Sequence, residues 1–416
     1  MTRLADDCFT APDAVLSVEA AAALIAGQVP VVAGPETVPL AQGDGRVAAA
    51  DVIAAHALPP FDNSAVDGYA LRTRDLAPDG PTRLPVAGRL PAGTAPAVLA
   101  PGTACRIFTG APIPAGADAV VMQEDARPGD GFVTVPPGLV PGANRRRAGE
   151  DLPAGAVVIP AGRRLGPADL ALAAAAGHGS LVVRRRLRVA LFSTGDELRE
   201  PGTPLGPGAI ADSNRVLLAA LLRRLGAAVS DLGILRDDPA ALPGRLRAAA
   251  RDHDVVLTSG GVSVGEEDHV KAAVAATGRL TLWRVAIKPG RPLAVGGIGE
   301  AAFVGLPGNP VAAYVTLLVV VRPLLARLAG EDYRPPPPQM VRAAFCHDKR
   351  AGRREYLRVG LRRAGDGAVE AVLGPSSGSG ALAALAGSDG LADLPEAASA
   401  VREGDPVAVY PHALLW

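Results

Sequence analysis

From residue 187 to residue 328 the chain alternates short apolar runs with segments of helical spacing. That alternation confines this part of the molecule to a parallel or mixed sheet with helices on both faces. The expected strands are 188–192, 228–232, 255–257, 280–287, 293–295 and 303–306. Expected helices start at Asp212-Ser213-Asn214, run from Asp237-Asp238 through Ala250, end at Ala276, and run from Pro307-Gly308-Asn309-Pro310 to Leu328. Asp, Ser and Asn suit helix starts because their side chains satisfy the first free N–H groups. In an open sheet the loops leaving the strand ends gather on one edge, where such folds bind ligands.

One of those loops is rich in glycine: Ser259-Gly260-Gly261-Val262-Ser263-Val264-Gly265-Glu266-Glu267-Asp268. Glycines let backbone N–H groups close on an anion, and the positive end of a following helix adds to the attraction. The layout is that of a phosphate cradle, and an ordinary strand–turn–helix joint would read the same way. It is not a Walker loop, because Glu266-Glu267 stands where Lys and Ser or Thr are required. The neighbouring loops are Thr194-Gly195-Asp196-Glu197, Arg236-Asp237-Asp238, Lys288-Pro289-Gly290 and Pro307-Gly308-Asn309-Pro310. Together the edge carries Glu197, Asp237, Asp268 and Lys288. Carboxylates beside an anion cradle make sense if Mg²⁺ bridges them to phosphate oxygens.

The rest of the chain reads as β structure around this unit. A helix is expected over 13–28, then short pieces at 38–40 and 46–54. Residues 58–70 form a turn-rich segment with Asp62, Asn63, Ser64 and Asp67 that leads into a strand. Gly/Pro punctuation from 84 to 135 suggests a small β domain. The stretch Asn144-Arg145-Arg146-Arg147-Ala148-Gly149-Glu150-Asp151 closes it, either as a solvated loop or as an anion holder. Residues 165–176 are helical. After the proline linker 335–338, short runs with turn signals point to a small β barrel or sandwich. The fold class is α/β multidomain: a central three-layer α/β domain, a small inserted β domain and a C-terminal β barrel.

Composition narrows the function. Across 416 residues the formal net charge is zero and aromatics are 3%, so neither a basic surface nor a stacking platform argues for nucleic acid or membrane partners. Cys8, Cys105 and Cys346 form no CxxC, and residues 1–12 show no apolar leader core. A cytoplasmic protein is expected. The apolar run 311–321 is shorter than the roughly 18 residues of a membrane span, and reads as a buried helix. Lysine is scarce: three (Lys271, Lys288, Lys349) against 39 arginines. A Lys in a Pro-Gly turn of such a chain suggests that a compact ammonium is wanted at 288. The four asparagines, Asn63, Asn144, Asn214 and Asn309, all fall in turn-like stretches.

Eight motifs occur in one order: 61–70 (FDNSAVDGYA), 109–125 (TGAPIPAGADAVVMQED), 144–151, STGDEL, DSN, SGGVSVGEED, AIKPGRP and GLPGNP. The set resembles the MoeA family of molybdopterin molybdenumtransferases, related to the E domain of gephyrin, from about residue 13 onward. The resemblance implies insertion of molybdate into adenylylated molybdopterin with release of AMP, Mg²⁺ as cofactor, and an elongated homodimer of four-part chains. Those parts would be 1–56 with 144–183, 57–143, 184–332 and 339–416. Carried over by motif, the implied catalytic residues are Asp67, Asp151, Glu197, Asp237, Asp268 and Lys288, with Glu197, Asp237 and Asp268 as metal ligands. The implied substrate contacts are Thr109, Thr194, Gly195, Ser259, Gly260, Gly261, Arg284, Pro307, Pro310, Arg358 and Ser379. Position 284 is Arg where the family pattern has Lys, and the match is weakest around Arg358 and Ser379. Two other readings are an adenylyltransferase for the preceding step, which would be the partner supplying the substrate, and a gephyrin-like scaffold. The domains outside the α/β unit argue against the first, and the lack of a long linker or second enzymatic domain lowers the second.

Overall fold

A computed structural model describes residues 15–95, 98–236, 238–261, 269–290, 292–374 and 378–416. Its central sheet has seven strands in the order Val15–Leu16, Arg279–Val285, Pro292–Ile298, Ala301–Leu306, Val255–Ser259, Arg188–Thr194 and Ala228–Leu235. The last four are mutually parallel, and Pro292–Ile298 runs antiparallel to both its neighbours. All five residues of Val255–Ser259 are buried, as a strand covered on both faces requires. Alternate side chains serve opposite cores. Val189, Leu191, Val255, Leu257 and Val304 pack with the helix Pro310–Ala329. Ala190, Phe192, Val256 and Phe303 pack with the helices Leu242–Asp252 and His269–Thr277.

The helix Pro310–Ala329 is long and apolar enough to cross a membrane, yet 78% of its most apolar window is buried inside the protein. It begins with Pro310 after Asn309 as N-cap, where a missing N–H costs nothing. Pro323 lies inside it, and a π turn at Leu317–Val321 precedes the proline. A wider turn relieves the clash between a proline ring and the carbonyl four residues back. Gly330 ends it at φ +77°.

Two expectations need correction. Residues 13–28 do not form one helix. The helix is Val18–Gln28, capped by Ser17, whose Oγ accepts the Ala20 N–H at 3.1 Å. Val15–Leu16 before it is an edge strand opposite Arg284 and Val285. The apolar spacing continued across Ser17, but the cap decides where the helix starts. The helix expected from Asp237-Asp238 starts at Leu242, because Asp238 closes a turn on Ala240 N–H at 2.9 Å.

The N-terminal unit pairs Pro35–Pro39 with Ser180–Arg184 and Val52–Ile53 with Val157–Ile159. Inserted in it is a six-stranded sheet that includes Gly68–Leu71, Ala104–Ile107 and Ala119–Met122. Gly68 is obligatory, since a Cβ there would lie 1.9 Å from the Val121 carbonyl oxygen. After residue 338 the strands Arg354–Arg363, Val369–Leu373, Gln339–Ala343, Pro406–Pro411 and Gly390–Leu394 close into a barrel. Ile287–Lys288 joins the barrel sheet beside Arg354 and Glu355.

Asp254 ties the α/β unit at the strand starts. It accepts from Arg185 Nη2 at 2.8 Å, Arg188 N at 2.9 Å and Arg188 Nη2 at 3.1 Å. Burial pushes its carboxyl up, but these donors outweigh burial and hold it below the usual range. A depressed folded-state pKa adds stability above the unfolded value, about 3.9, and loses it as pH falls through the folded value. Asp254→Asn should therefore cost about 1–3 kcal/mol at pH 7. The gap from wild type in urea melts should shrink below about pH 4; a gap constant with pH would contradict the charge argument.

Candidate active site

The C-terminal ends of the parallel strands put three loops side by side. Ser193, Ser259 and Leu306 are register partners at one level. Gly260 and Gly261 follow at φ +89° and +65°, conformations that only glycine adopts readily. They must also be small. A Cβ on Gly260 would lie 2.7 Å from the Thr194 carbonyl oxygen, and one on Gly261 2.4 Å from Val270 Cγ2. The glycine loop is thus pressed between Thr194 and the helix His269–Thr277. On the first loop Glu197 is exposed, and its carboxylate folds back over Gly195, 2.6 Å from where a Cβ would be.

Asn214 locks the loops together. Its Nδ2 donates to Ser259 Oγ and to the Gly308 carbonyl, each at 2.7 Å, and Gly260 N donates to Leu306 O at 3.1 Å. The helix Ser213–Arg224 that carries Asn214 is capped by Asp212, which also accepts from Ser193 Oγ at 3.2 Å. Among the described residues, Asn214 Oδ1 and Thr194 Oγ1 are buried with no hydrogen-bond partner. Buried polar atoms are nearly always paired, so two orphans on one ligand edge point to a polar ligand. Asn214 was visible in the sequence as one of four asparagines, but its bridging role was not.

The other side of the edge is built by the turn after strand Arg279–Val285. Gly290 presses onto the first turns of Pro310–Ala329, where a Cβ would meet Thr316 Oγ1 at 2.2 Å and Ala312 O at 3.2 Å. This anchors the turn that carries Lys288 against that helix. Lys288 is half exposed, and its Nζ donates to Glu355 Oε1 at 3.1 Å across to the barrel. Glu355 is buried and also meets His347 Nε2 at 2.9 Å. Burial pushes the Glu355 carboxyl up, while His347 and Lys288 outweigh that and hold it low. Ser379 reaches the same corner, its carbonyl accepting Val311 N–H at 3.1 Å. Arg284 is exposed on its strand. Arg358 is buried in the barrel strand, where desolvation lowers its pKa, and its carbonyl accepts Gly374 N–H at 3.4 Å. Asp237 and Asp268 lie outside the described residues.

A separate acidic spot sits on the small β sheet. Asp67 Oδ1 accepts both N–H and Oγ1–H of Thr109, at 2.8 and 2.9 Å. Those donors, the backbone N–H first, hold its carboxyl below the usual range. Asp151 is exposed on the N-terminal unit, with its backbone N–H on Leu58 O at 3.0 Å. In the same loop Asp62 is the carboxylate that organises the arginines, pairing with Arg145 and accepting Ala148 N–H at 2.7 Å. Among the described residues, no hydrogen bond or ion pair joins 60–142 to the α/β unit. Thr194, Gly195, Glu197, Ser259 to Gly261, Pro307 and Pro310 form one group at the strand ends, while Ser379 and the turn that carries Lys288 contact the helix that starts at Pro310. Within the chain, Asp67, Thr109 and Asp151 are not tied to that group.

A mixed α/β sheet whose glycine loops and helix starts converge on one edge, flanked by β units, is the architecture of a phosphate-ligand-binding protein. Comparison with known proteins makes this specific. Residues 16–177 match the MoeA N-terminal region (domain I and II), 190–327 a probable molybdopterin binding domain, and 341–412 the MoeA C-terminal region (domain IV). The chain is 41% identical over 388 residues to molybdopterin molybdenumtransferase 2 of Mycobacterium tuberculosis, covering 90% of this chain and 95% of that one. It is 39% identical over 400 residues to the molybdopterin molybdenumtransferase of Haemophilus influenzae, covering 95% and 98%. Among solved structures, a molybdopterin biosynthesis MoeA protein of Pyrococcus horikoshii superposes with a TM-score of 0.81 at 28% identity, covering 95% and 100%. The chain belongs to the MoeA family.

Asn214→Ala should free Ser259 and Gly308 and loosen the edge. The expected loss is about 1–3 kcal/mol in stability, with substrate affinity falling more than the melting midpoint suggests. Unchanged ligand affinity in a folded variant would remove Asn214 from the site's framework.

Proposed function

We propose that this protein inserts molybdate into adenylylated molybdopterin and releases AMP, as the last metal-loading step of molybdenum cofactor synthesis. The observation that supports this best is the near full-length likeness to molybdopterin molybdenumtransferases, combined with the Ser259-Gly260-Gly261 turn at the strand end. Thr194, Ser259, Gly260 and Gly261 would hold the substrate's phosphate side, and the unpaired Thr194 Oγ1 and Asn214 Oδ1 would take its N–H or O–H donors. Molybdate is a tetrahedral dianion and needs cations and N–H donors. Lys288, with Arg284, Arg358 and Ser379, would supply them at the barrel side of the edge. Pro307 and Pro310 would shape the loop between. The four-part division, 1–56 with 144–183, 57–143, 184–332 and 339–416, is proposed with it.

Mg²⁺ is proposed as cofactor. Such sites take one or two carboxylates and complete the shell with phosphate and water. Glu197, an exposed carboxylate folded over Gly195, fits one of those places, and Asp237 and Asp268 are proposed for the others. When bound, the ion would offset charge on the phosphate oxygens as the adenylyl bond breaks. Asp67, held ionised by Thr109, and Asp151 belong to a second wall. We place that wall in a homodimer, where one chain's small β sheet faces the other chain's α/β edge. A two-fold pair then has two identical composite clefts. Cytoplasmic residence is proposed too, since Cys105 and Cys346 are unpaired, as a reducing compartment expects. The adenylyltransferase of the preceding step is the partner proposed to deliver substrate.

The direct test is AMP release from protein, adenylylated molybdopterin, Mg²⁺ and molybdate. Release that depends on molybdate supports the reading. Adenylylated product made from molybdopterin and ATP, with no such release, would shift it to the preceding step. In the same assay Lys288→Arg keeps the Glu355 pair but changes donor geometry. It should leave the melting midpoint nearly unchanged and move the molybdate half-saturation point at least about tenfold, roughly 1.4 kcal/mol. A titration that overlays wild type would make Lys288 only a domain clamp.

The shared cleft has its own test. Inactive Asp67→Asn and Glu197→Gln chains are mixed under conditions that exchange subunits. Half the dimers are mixed, and each would hold one intact cleft, so about one quarter of full activity should return. No recovery, with exchange confirmed by differently tagged chains, would place both residues in one chain's own site.

A further inference from the structure

A second cationic site lies at the opposite end of the α/β sheet. Arg186 and Leu187 come just before strand Arg188–Thr194, and Ala227 just before Ala228–Leu235. At about 3.3 Å per residue, the length of a strand puts this place roughly 20 Å from the candidate active site. Residues of the N-terminal unit (Gly45 to Val47, Arg164), the strand starts (184–187), the end of helix Ser213–Arg224, the helix Pro310–Ala329 and Trp416 enclose a cavity of about 80 Å³. That is room for several water-sized spheres, enough for one compact ion.

Seven arginines line it against one side-chain carboxylate, Glu331. Three of them are neutralised: Arg46 by Glu36, Arg164 by Glu331 and Arg185 by Asp254. Among the described residues, Arg184, Arg186, Arg224 and Arg322 have no carboxylate in ion-pair reach. Gly226 draws two of the seven together. A Cβ there would lie 2.9 Å from Arg164 Nη1 and 3.8 Å from Arg186 Nη1. Arg224 lies over the Trp416 ring at 5.2 Å, and Arg322 over Tyr333 at 4.7 Å. Among the described residues, Arg322 Nη1 and Arg184 Nε are buried with no hydrogen-bond acceptor. Chain-wide preference for arginine accounts for the residue type, and the end of helix Ser213–Arg224 favours a cation at 224. Neither accounts for four arginines without a carboxylate partner, two of which (Arg184 and Arg322) keep a buried N–H unpaired, around one small cavity; a buried donor left unpaired costs free energy, and an anion in the cavity would remove that cost.

We propose that this cleft binds a tetrahedral oxyanion dianion, phosphate or molybdate in class, away from the active edge. Guanidinium forks match two oxygens of such an ion at once. The bound ion bridges the N-terminal unit, through Arg164, to the α/β unit, through Arg186, Arg224 and Arg322. It therefore ties the support of the small β sheet to the unit that carries the strand-end cradle. Phosphate would make the site a structural clamp set by the cell's anion pool, whereas molybdate would make it a holding place for cargo.

The test is thermal melting of the full-length protein at constant ionic strength, with chloride replaced by phosphate, sulfate or molybdate. Saturating oxyanion should raise the midpoint by roughly 2 °C or more over chloride. Arg186→Gln/Arg224→Gln, both exposed and so tolerant of change, should need at least about tenfold more anion for the same rise. Lys288→Gln should respond to phosphate and sulfate like wild type, which separates this site from the active edge. Trp416 emission provides a second readout: it should change with phosphate in wild type and in Arg322→Lys, and less in Arg224→Gln. Measured in Lys288→Gln, equal half-points for phosphate and molybdate identify the clamp, and a half-point at least about tenfold lower for molybdate identifies cargo. Chloride matching the oxyanions, or the double variant matching wild type, would overturn the proposal.

Discussion

The bridge from Asn214 to Ser259 Oγ and the Gly308 carbonyl holds the ligand edge in one arrangement. Each of the three groups leaves a different element: a helix start, a strand end and the loop before the longest helix. Both amide protons of Asn214 are spent on neighbours, and its Oδ1 has no donor among the described residues. The glycines make the approach possible, since any side chain at 260 or 261 would collide with Thr194 or Val270. Close packing beneath the loops then fixes the lock in place. The strands below it are buried on both faces, and the twenty-residue helix behind them is core.

Charge follows the same division of labour. At the strand starts Asp254 gathers Arg185 and Arg188, and the surplus arginines collect around the cavity by Gly226. At the strand ends the cation is a lysine, held toward the barrel by a buried glutamate that His347 also contacts. A buried carboxylate between two donors is costly to strip of either one. Lys288 therefore has two attachments to explain, the Glu355 pair on one side and solvent on the other. A compact ammonium can turn between a fixed carboxylate and an incoming anion, while a planar fork commits its geometry to one partner. The small β sheet carries its own ionised group, Asp67, held by a single threonine. Its fixation is local, so the whole unit can be carried on the N-terminal frame without losing that geometry.

Much of this was legible in the residues themselves. Strand–helix alternation after 187 determines a doubly covered sheet, because buried parallel strands must read as unbroken apolar runs such as Val255 to Leu257. Ser-Gly-Gly after such a run determines a tight loop at a strand end. Asn309-Pro310 determines a helix start, and eight motifs in one order determine the family. What the residues left open was pairing across distance. Residues 15–16 read as helix because their spacing is helical, and only the neighbouring strand at 284–285 makes them an edge strand. Nothing local says that Asn214 reaches both Ser259 and Gly308, that Lys288 finds Glu355 sixty-seven residues on, or that seven arginines from five segments line one cavity. Local pattern reports the period and the turn chemistry of a segment. Which segments then meet depends on burying both faces of one sheet and on pairing each polar atom enclosed in the process, and only the folded chain as a whole satisfies those conditions.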